Sequence, residues 1–379
     1  MSTIDQTAIV GIGQTEFSKN SGRSELQLAC EASRDAMADA GLSPADIDGM
    51  VTFTLDSNDE LDLMRSLGIP QLRWTSRTPF GGAGASSTVQ LAAGAVASGA
   101  AKAVLVYRAF NERSGRRFGQ PNEHWMRRPD FHITYGLDTP AKIYALWYQR
   151  YMQRYGVTSE DLGRYVVIAR QHAATNPRAW FYNRPITLED HQASRWIVEP
   201  ILRLMDCCQE SDGGVAYIVT TRERARDCKQ KPARILGATQ THLIGSQIMF
   251  DYYRGDLSEM AETRVIANEL FASTGLKASD IDVAMIYENF SPIVFLALEG
   301  HGFCPKGEAK NFIADGHIGL KGSLPTNPHG GLLGEGYIHG VNNILESVRQ
   351  IRGEAANQIK DAETVFVSAS RSAVILGRD

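Results

Sequence analysis

Three clusters in this 379-residue chain carry groups able to move a proton or hold a charged ligand. The first, Tyr287-Glu288-Asn289-Phe290, follows an apolar run. A phenol has an unperturbed pKa of about 10, so it is a poor nucleophile at neutral pH yet a competent proton donor and acceptor. The second is the glycine loop Gly330-Gly331-Leu332-Leu333-Gly334-Glu335-Gly336-Tyr337, flanked by His329 and His339. Glycines there let backbone approach a ligand, while Glu335 and the histidines, like Glu288 and Asn289, could orient a phenol or bind water. Each has an ordinary alternative: a tyrosine ending a strand commonly sits in the core with its hydroxyl on backbone, and glycines beside a charge commonly form a solvated turn. The third cluster is Arg113, Arg116, Arg117, Arg127 and Arg128, interrupted by Phe118, His124 and Trp125. Guanidinium forks suit phosphates and aromatic faces suit an adenine. A solvated or subunit-contacting patch fits these residues equally well.

Thiol and metal chemistry find less support. The five cysteines are an odd number in a large chain, which argues against a disulfide framework. Only Cys207 and Cys208 are close in sequence, and adjacency is not the CxxC spacing of zinc sites, so no metal is expected. The net charge of -4 supplies no global attraction for nucleic acid or anionic membrane. No apolar stretch is long enough to span a bilayer, and the start of the chain lacks the pattern of a signal peptide, so cytoplasm is the expected location. The opening Gly11-Ile12-Gly13-Gln14-Thr15-Glu16 fails as a dinucleotide fingerprint because Glu16 stands where a third glycine should allow close helix packing.

The elements that must position these groups repeat. Gly41-Leu42-Ser43-Pro44-Ala45-Asp46-Ile47-Asp48 resembles Gly275-Leu276-Lys277-Ala278-Ser279-Asp280-Ile281-Asp282, and each precedes an apolar run, Met50 to Phe53 and Val283 to Tyr287. A small-residue helix over Gly84 to Ser98 leads into a strand at Ala103 to Tyr107, and a helix over Ile338 to Ile351 leads into a strand at Thr364 to Val367. This order predicts two similar α/β halves with parallel strands covered on both faces. The N-terminal half spans residues 1–229 and carries an inserted loop domain at about 110–204, and the C-terminal half spans 230–379. The insert is rich in Arg, Trp, Tyr and Pro, with helices expected at Thr139 to Tyr155 and Ser159 to Thr175.

Taken with Ile9 to Phe17, two further segments resemble the thiolase superfamily, in its branch of sterol-carrier-protein-x type thiolases and lipid-transfer-type steroid side-chain aldolases. They are His172-Ala173-Ala174-Thr175-Asn176-Pro177-Arg178-Ala179, similar to that branch's HxxAxxNPxA segment, and Ser211-Asp212-Gly213-Gly214-Val215-Ala216, similar to its SDGxxA turn. By itself, His172 reads as a helix-end histidine bonded to a carbonyl. The resemblance covers essentially the whole chain and implies a thiolase fold: two duplicated halves of mixed sheet and helix in αβαβα layers.

It also implies that the reactive positions have changed. The nucleophilic cysteine falls near Gly82, with no cysteine between Cys30 and Cys207 and only Ser86 and Ser87 nearby. The C-terminal acid/base cysteine falls near Val367 or Ser368. The family's Gly-His-Pro histidine is matched by Tyr337, and the Asn or His opening its NEAF or HDCF motif by Tyr287. Phenols in place of these groups suit retro-aldol cleavage of a β-hydroxyacyl-CoA, which moves protons but requires no acyl-enzyme. Within the branch the implied substrate is a 17-hydroxy steroid 22-oyl-CoA, cleaved to a 17-ketosteroid and propionyl-CoA, with Tyr287 and Tyr337 as the acid/base pair. Coenzyme A would enter as part of the substrate, without a separate cofactor, and the arginine cluster falls where thiolases cover CoA. The resemblance further implies a homodimer and a separate small subunit of OB-fold and zinc-ribbon type. Two other readings stand beside this one: a non-catalytic acyl-CoA or lipid-binding subunit, and an acyltransferase using Cys207 or Cys304.

Overall fold

The duplicated turns fold alike, atom for atom at their key bonds. In a computed structural model describing residues 3–79, 81–121, 129–246, 252 and 254–378, the helices Glu25–Ala40 and Ala261–Thr274 end at Gly41 (φ 73°) and Gly275 (φ 75°). This left-handed conformation costs glycine nothing. A single 3₁₀ turn follows each, Pro44–Asp46 or Ala278–Asp280. Asp48 then accepts from the backbone N–H groups of Lys102 (2.7 Å) and Ala103 (3.0 Å). Asp282 does the same for Glu363 and Thr364, both at 2.9 Å. One aspartate per repeat thus pins the start of one strand to the start of its parallel neighbour.

The strands are β1 (Thr7–Gln14), β2 (Gly49–Phe53), β3 (Trp74–Thr78), β4 (Ala103–Asn111), β5 (Trp196–Val198), β6 (Leu202–Arg203), β7 (Asp212–Thr221), β8 (Ala233–Gln240), β9 (Val283–Ile286), β10 (Thr364–Ala369) and β11 (Ser372–Gly377). Nine form one sheet in the order β3-β2-β4-β7-β1-β8-β11-β10-β9. Its two halves run into each other through only two residue pairs, Ala8 with Arg234 and Ile9 with Ala233. The expectation of parallel strands holds only at the flanks, β3-β2-β4 and β10-β9. The central pairs are antiparallel. The connections explain this for β10 and β11, which only Ser370 and Arg371 separate, far too few residues for a crossover.

Helices Glu25–Ala40 and Ala261–Thr274 cover one face of the sheet, against β1/β7 and β8/β11 respectively. Ala85–Ala97 and Val341–Arg352 form the layer on the other face. Every residue of Val341–Arg352 is buried. The small side chains of Ala85–Ala97 let it pack against β2, β4, β7, β8, β10 and β11. The latter helix matches the expected Gly84 to Ser98 closely, but Val341–Arg352 starts three residues later than expected. Its N-cap is Gly340 at φ 76°, preceded by His339 at φ 50°. That turn leaves His339 outside the helix.

In the insert, Pro140–Tyr155 and Ser159–Ala174 lie where helices were expected, the second opened by a capping box between Thr158 and Asp161. Tyr148, Tyr151 and Tyr165 share one buried cluster with Phe290, Ile293 and Val294 of the C-terminal half, and the Tyr148 and Phe290 rings meet at 6.1 Å. This packing brings the insert to the end of β9, where Tyr287 emerges. Among the described residues no helix is long and apolar enough to cross a membrane, and no three His, Cys, Asp or Glu side chains are grouped to hold a metal ion.

Candidate active site

A cavity of ≈ 590 Å³ opens where the two halves and the insert meet. Tyr287 and Tyr337 both line it. Tyr287 sits one residue past β9, where its N–H donates to the carbonyl of Ser368 at 2.8 Å. Tyr337 follows the glycine loop, and its N–H donates to Ser211 Oγ at 3.2 Å. Their hydroxyls are 2.9 Å apart and hydrogen bonded. Burial pushes both phenols well above the usual value, and for Tyr337 the neighbouring Tyr287 adds to the shift. Both phenols are therefore neutral around pH 7.

The backbone at Gly82 also lines the cavity. A Cβ added there would lie 2.2 Å from Tyr287 Cε2 and 2.3 Å from its hydroxyl oxygen. The tyrosine ring thus occupies the space into which any side chain at position 82 would project. Ser86 and Ser87 turn into the core: Ser86 donates to the carbonyl of Val367, and Ser87 to that of Gly84. At the other matched position, Ser368 Oγ is bonded to His301 Nε2 at 2.9 Å.

Apart from Tyr337 the glycine loop does not line the cavity, and three residues expected to support the phenols are turned away from it. Glu288 Oε1 accepts from the N–H of Leu332 at 2.8 Å, because Gly331 brings the loop backbone onto the carboxylate. Glu335 accepts from Asn342 (2.8 Å) and Asn176 (3.4 Å), and His329 meets Asn343 at 3.1 Å. Burial raises both carboxyls and lowers His329 to about 4. These residues hold the loop in place and do not reach the cavity. The segment beginning at His172 buttresses the same loop: His172 Nδ1 meets the carbonyl of Asn327 at 3.2 Å, the ordinary reading of that residue, and Asn176 donates to the carbonyl of His329. Asp212 of the SDG turn accepts from the N–H groups of Ser21, Arg113 and Ser114.

Asn289 does line the cavity, and its buried Oδ1 has no partner among the described residues. Of the arginines, Arg113 and Arg117 line it, Arg117 paired with Glu210 at 2.6 Å. Arg116 does not line it, and Arg127 and Arg128, like His124 and Trp125, lie outside the described residues. Two ionisable groups stand out that the sequence did not mark. Glu112 is buried at the cavity wall with Oε2 unbonded, and burial raises its carboxyl well above the usual range. Burial lowers Lys19, also on the wall, to about 8. Glu112 directly precedes Arg113 of the basic cluster, a signal available in sequence, whereas Lys19 is brought here by the tertiary fold.

Cys207 and Cys208 also line the cavity, but burial raises both thiols. Cys304 is not on its wall, and its thiol is pushed up to about 12. A raised thiol is a poor source of thiolate.

Beside Tyr337, His339 lines the cavity and takes a 3.1 Å hydrogen bond on Nδ1 from Arg108 Nε. Arg108 is in turn held by Asp56 at 2.7 Å, with the two side chains 2% and 0% exposed. Removing one partner of such a pair strands a buried charge, at a cost of about 3–5 kcal/mol. Asp56→Ala should therefore lower stability by about that amount in chemical denaturation, and a change within error of wild type would mean that water replaces the carboxylate.

A duplicated α/β fold whose Tyr287 ring fills the space beside the Gly82 backbone has the architecture of a thiolase-type scaffold. The thiolase C-terminal domain-like family matches residues 251–375. Over 383 aligned residues the chain is 53% identical to the steroid side-chain-cleaving aldolase of Thermomonospora curvata, covering 98% of each chain. It is 51% identical to the 17-hydroxy-3-oxo-4-pregnene-20-carboxyl-CoA lyase of Mycobacterium tuberculosis, covering 98% of this chain and 99% of the relative. A solved Ltp2-ChsH2(DUF35) aldolase superposes with a TM-score of 0.95 at 52% identity, over 100% of this chain and 99% of that one. The chain belongs to the thiolase superfamily, in its branch of steroid side-chain-cleaving aldolases.

Proposed function

We propose that this protein cleaves the Cα–Cβ bond of a β-hydroxyacyl-CoA by a retro-aldol reaction, with a 17-hydroxy steroid 22-oyl-CoA giving a 17-ketosteroid and propionyl-CoA. The observation that carries the reading is the hydroxyl-to-hydroxyl bond between Tyr287 and Tyr337 on the cavity wall. As the bond breaks, the substrate hydroxyl becomes a ketone and releases a proton, while the bonding electrons pass to the thioester as an enolate. One phenol accepts that proton and hands its own to the second, which protonates Cα. One proton moves from oxygen to carbon and both phenols end as they began. No free phenolate is required, which suits phenols whose burial disfavours ionisation. The 2.9 Å contact serves either direction, so which tyrosine faces the hydroxyl is left to substrate orientation.

The identities and coverage above support a place beside a small second subunit, since the solved relative is an assembly with ChsH2(DUF35). We propose an OB-fold and zinc-ribbon partner that helps receive the CoA, with a homodimer of this chain at the centre. Arg113 and Arg117 at the cavity are the members of the basic cluster proposed to contact CoA.

Incubation of the purified chain with its small partner and a 17-hydroxy steroid acyl-CoA should release propionyl-CoA and the 17-ketosteroid, identified by mass spectrometry. Binding without product from any β-hydroxyacyl-CoA would leave only a non-catalytic acyl-CoA subunit. Two thiols on the wall make an acyltransferase the reading to test next. Cys207→Ala and Cys208→Ala, and Cys304→Ala away from the wall, should each keep the cleavage rate, with no labelled acyl group retained on protein. A trapped acyl-cysteine would transfer the chemistry to sulfur.

A further inference from the structure

The cleavage just described occupies both phenols with protons, yet it also places negative charge on the thioester oxygen. That charge requires a hydrogen-bond donor fixed in advance and not consumed by proton transfer. We propose that His339 is a further catalytic residue, whose Nε2–H donates to the thioester oxygen as the enolate forms. This assignment rests on the acyl-CoA reading of the cavity.

The ring's single proton can be located from its neighbour. An arginine Nε can only donate, so the 3.1 Å contact from Arg108 makes Nδ1 the acceptor and leaves the proton on Nε2. Arg108 is itself immobilised by Asp56, by the carbonyl of Ala109 at 3.3 Å and by the Phe110 ring 4.3 Å from its guanidinium carbon. The imidazole is held on several sides, stacked on Phe118 (centroids 5.3 Å, planes 23° apart) and met edge-on by Tyr337 at 5.4 Å. Such outer partners set both tautomer and aim, as they do for histidines at metal sites.

Nε2 makes no hydrogen bond to any described residue, and it points toward the Gly81-Gly82 backbone, where a Cβ on Gly81 would stand 3.3 Å away. Tyr287 fills the adjoining space at Gly82, so the free donor and the phenol pair address one volume. His339 sits at φ 50°, a left-handed conformation uncommon outside glycine, in the turn that Gly340 closes before the following helix. The ionisable groups against the ring are Arg108, with Asp56 behind it, and Tyr337. Burial and the guanidinium both hold the imidazole well below its usual pKa, so it stays a neutral donor through turnover.

Two measurements test this on the full chain with its small partner. In ¹⁵N spectra of histidine-labelled protein, His339 should carry its proton on Nε2 and show no titration between about pH 6 and 9. A proton on Nδ1, or a titration in that window, would overturn the assignment without any variant. With propionyl-CoA labelled ¹³C at the thioester carbon, the bound carbonyl stretch should lie below its position in water. His339→Phe, which keeps the stacking, should return it upward and lower kcat by about 10²–10³ with little change in KM. His339→Gln should restore part of both, since its amide places an N–H near the lost one. If propionyl-CoA binds and substrate is cleaved, but the band is the same in wild type and His339→Phe, the His339 role falls and the lyase reading stands. If neither binding nor cleavage occurs in wild type, both fall.

Discussion

Tyr337→Phe should reduce steroid acyl-CoA cleavage by about 10²–10⁴, the span ordinarily contributed by positioned acid/base catalysis, while leaving the fold intact. The substitution removes one oxygen from a ring that stays packed edge-on against Phe110, Phe118 and His339. It breaks only the 2.9 Å bond to Tyr287, so the relay loses its second carrier. Tyr287→Phe should produce a loss of the same order, and the double variant little more, because residues acting as one unit are not additive. Single-turnover rates for the three variants, with their melting curves, decide the matter. Either single variant at wild-type speed would remove the relay. The pH profile adds a second check: both phenols are raised above their ordinary pKa of about 10, so cleavage should show no rising limb from phenolate formation between about pH 7 and 9. A rate climbing tenfold per unit across that range would point to a free phenolate base instead.

The duplication was legible in sequence because its signals are local. Gly41 and Gly275, Asp46 and Asp280, and Asp48 and Asp282 each act within a few residues or at the start of one strand. The tyrosine pair was legible only through resemblance: 50 residues separate Tyr287 from Tyr337, and nothing in either neighbourhood announces that the hydroxyls meet. Glu288, His329 and Glu335 misled for the opposite reason. Polar residues beside a glycine-rich loop have the composition of a site, yet such a loop pressed into a core leaves backbone N–H groups and side-chain amides to be satisfied from behind, and these residues do that. His339 lay inside an expected helix because the apolar spacing from Ile338 onward is helical. Gly340 starts that helix late, and this local backbone choice releases the imidazole toward the cavity.

A cysteine at position 82, where the family resemblance puts the thiolase nucleophile, should not bring thiolase chemistry, and Gly82→Cys should instead suppress cleavage. The new Cβ would lie 2.2 to 2.3 Å from three atoms of the Tyr287 ring, well inside contact distance. The ring has no relaxed alternative close by, because Gly340 backs it so closely that a Cβ there would lie 2.7 Å from Cδ2. Its backbone is fixed by the bond to Ser368. Overpacking of this kind costs about 1–3 kcal/mol and forces the tyrosine off its position, so the 2.9 Å contact with Tyr337 is lost with it. The introduced thiol would gain no base in return, since the residue matching the family's histidine is Tyr337, a phenol held neutral by burial. The expected result is a Gly82→Cys protein with cleavage reduced at least as far as in Tyr287→Phe and no acyl group retained on Cys. Gly82→Cys combined with Tyr287→Asn should recover stability by reopening the space, without recovering cleavage. Wild-type turnover in Gly82→Cys would show that the ring and a side chain at position 82 can coexist, and the account of how a phenol displaced the sulfur nucleophile would then be wrong.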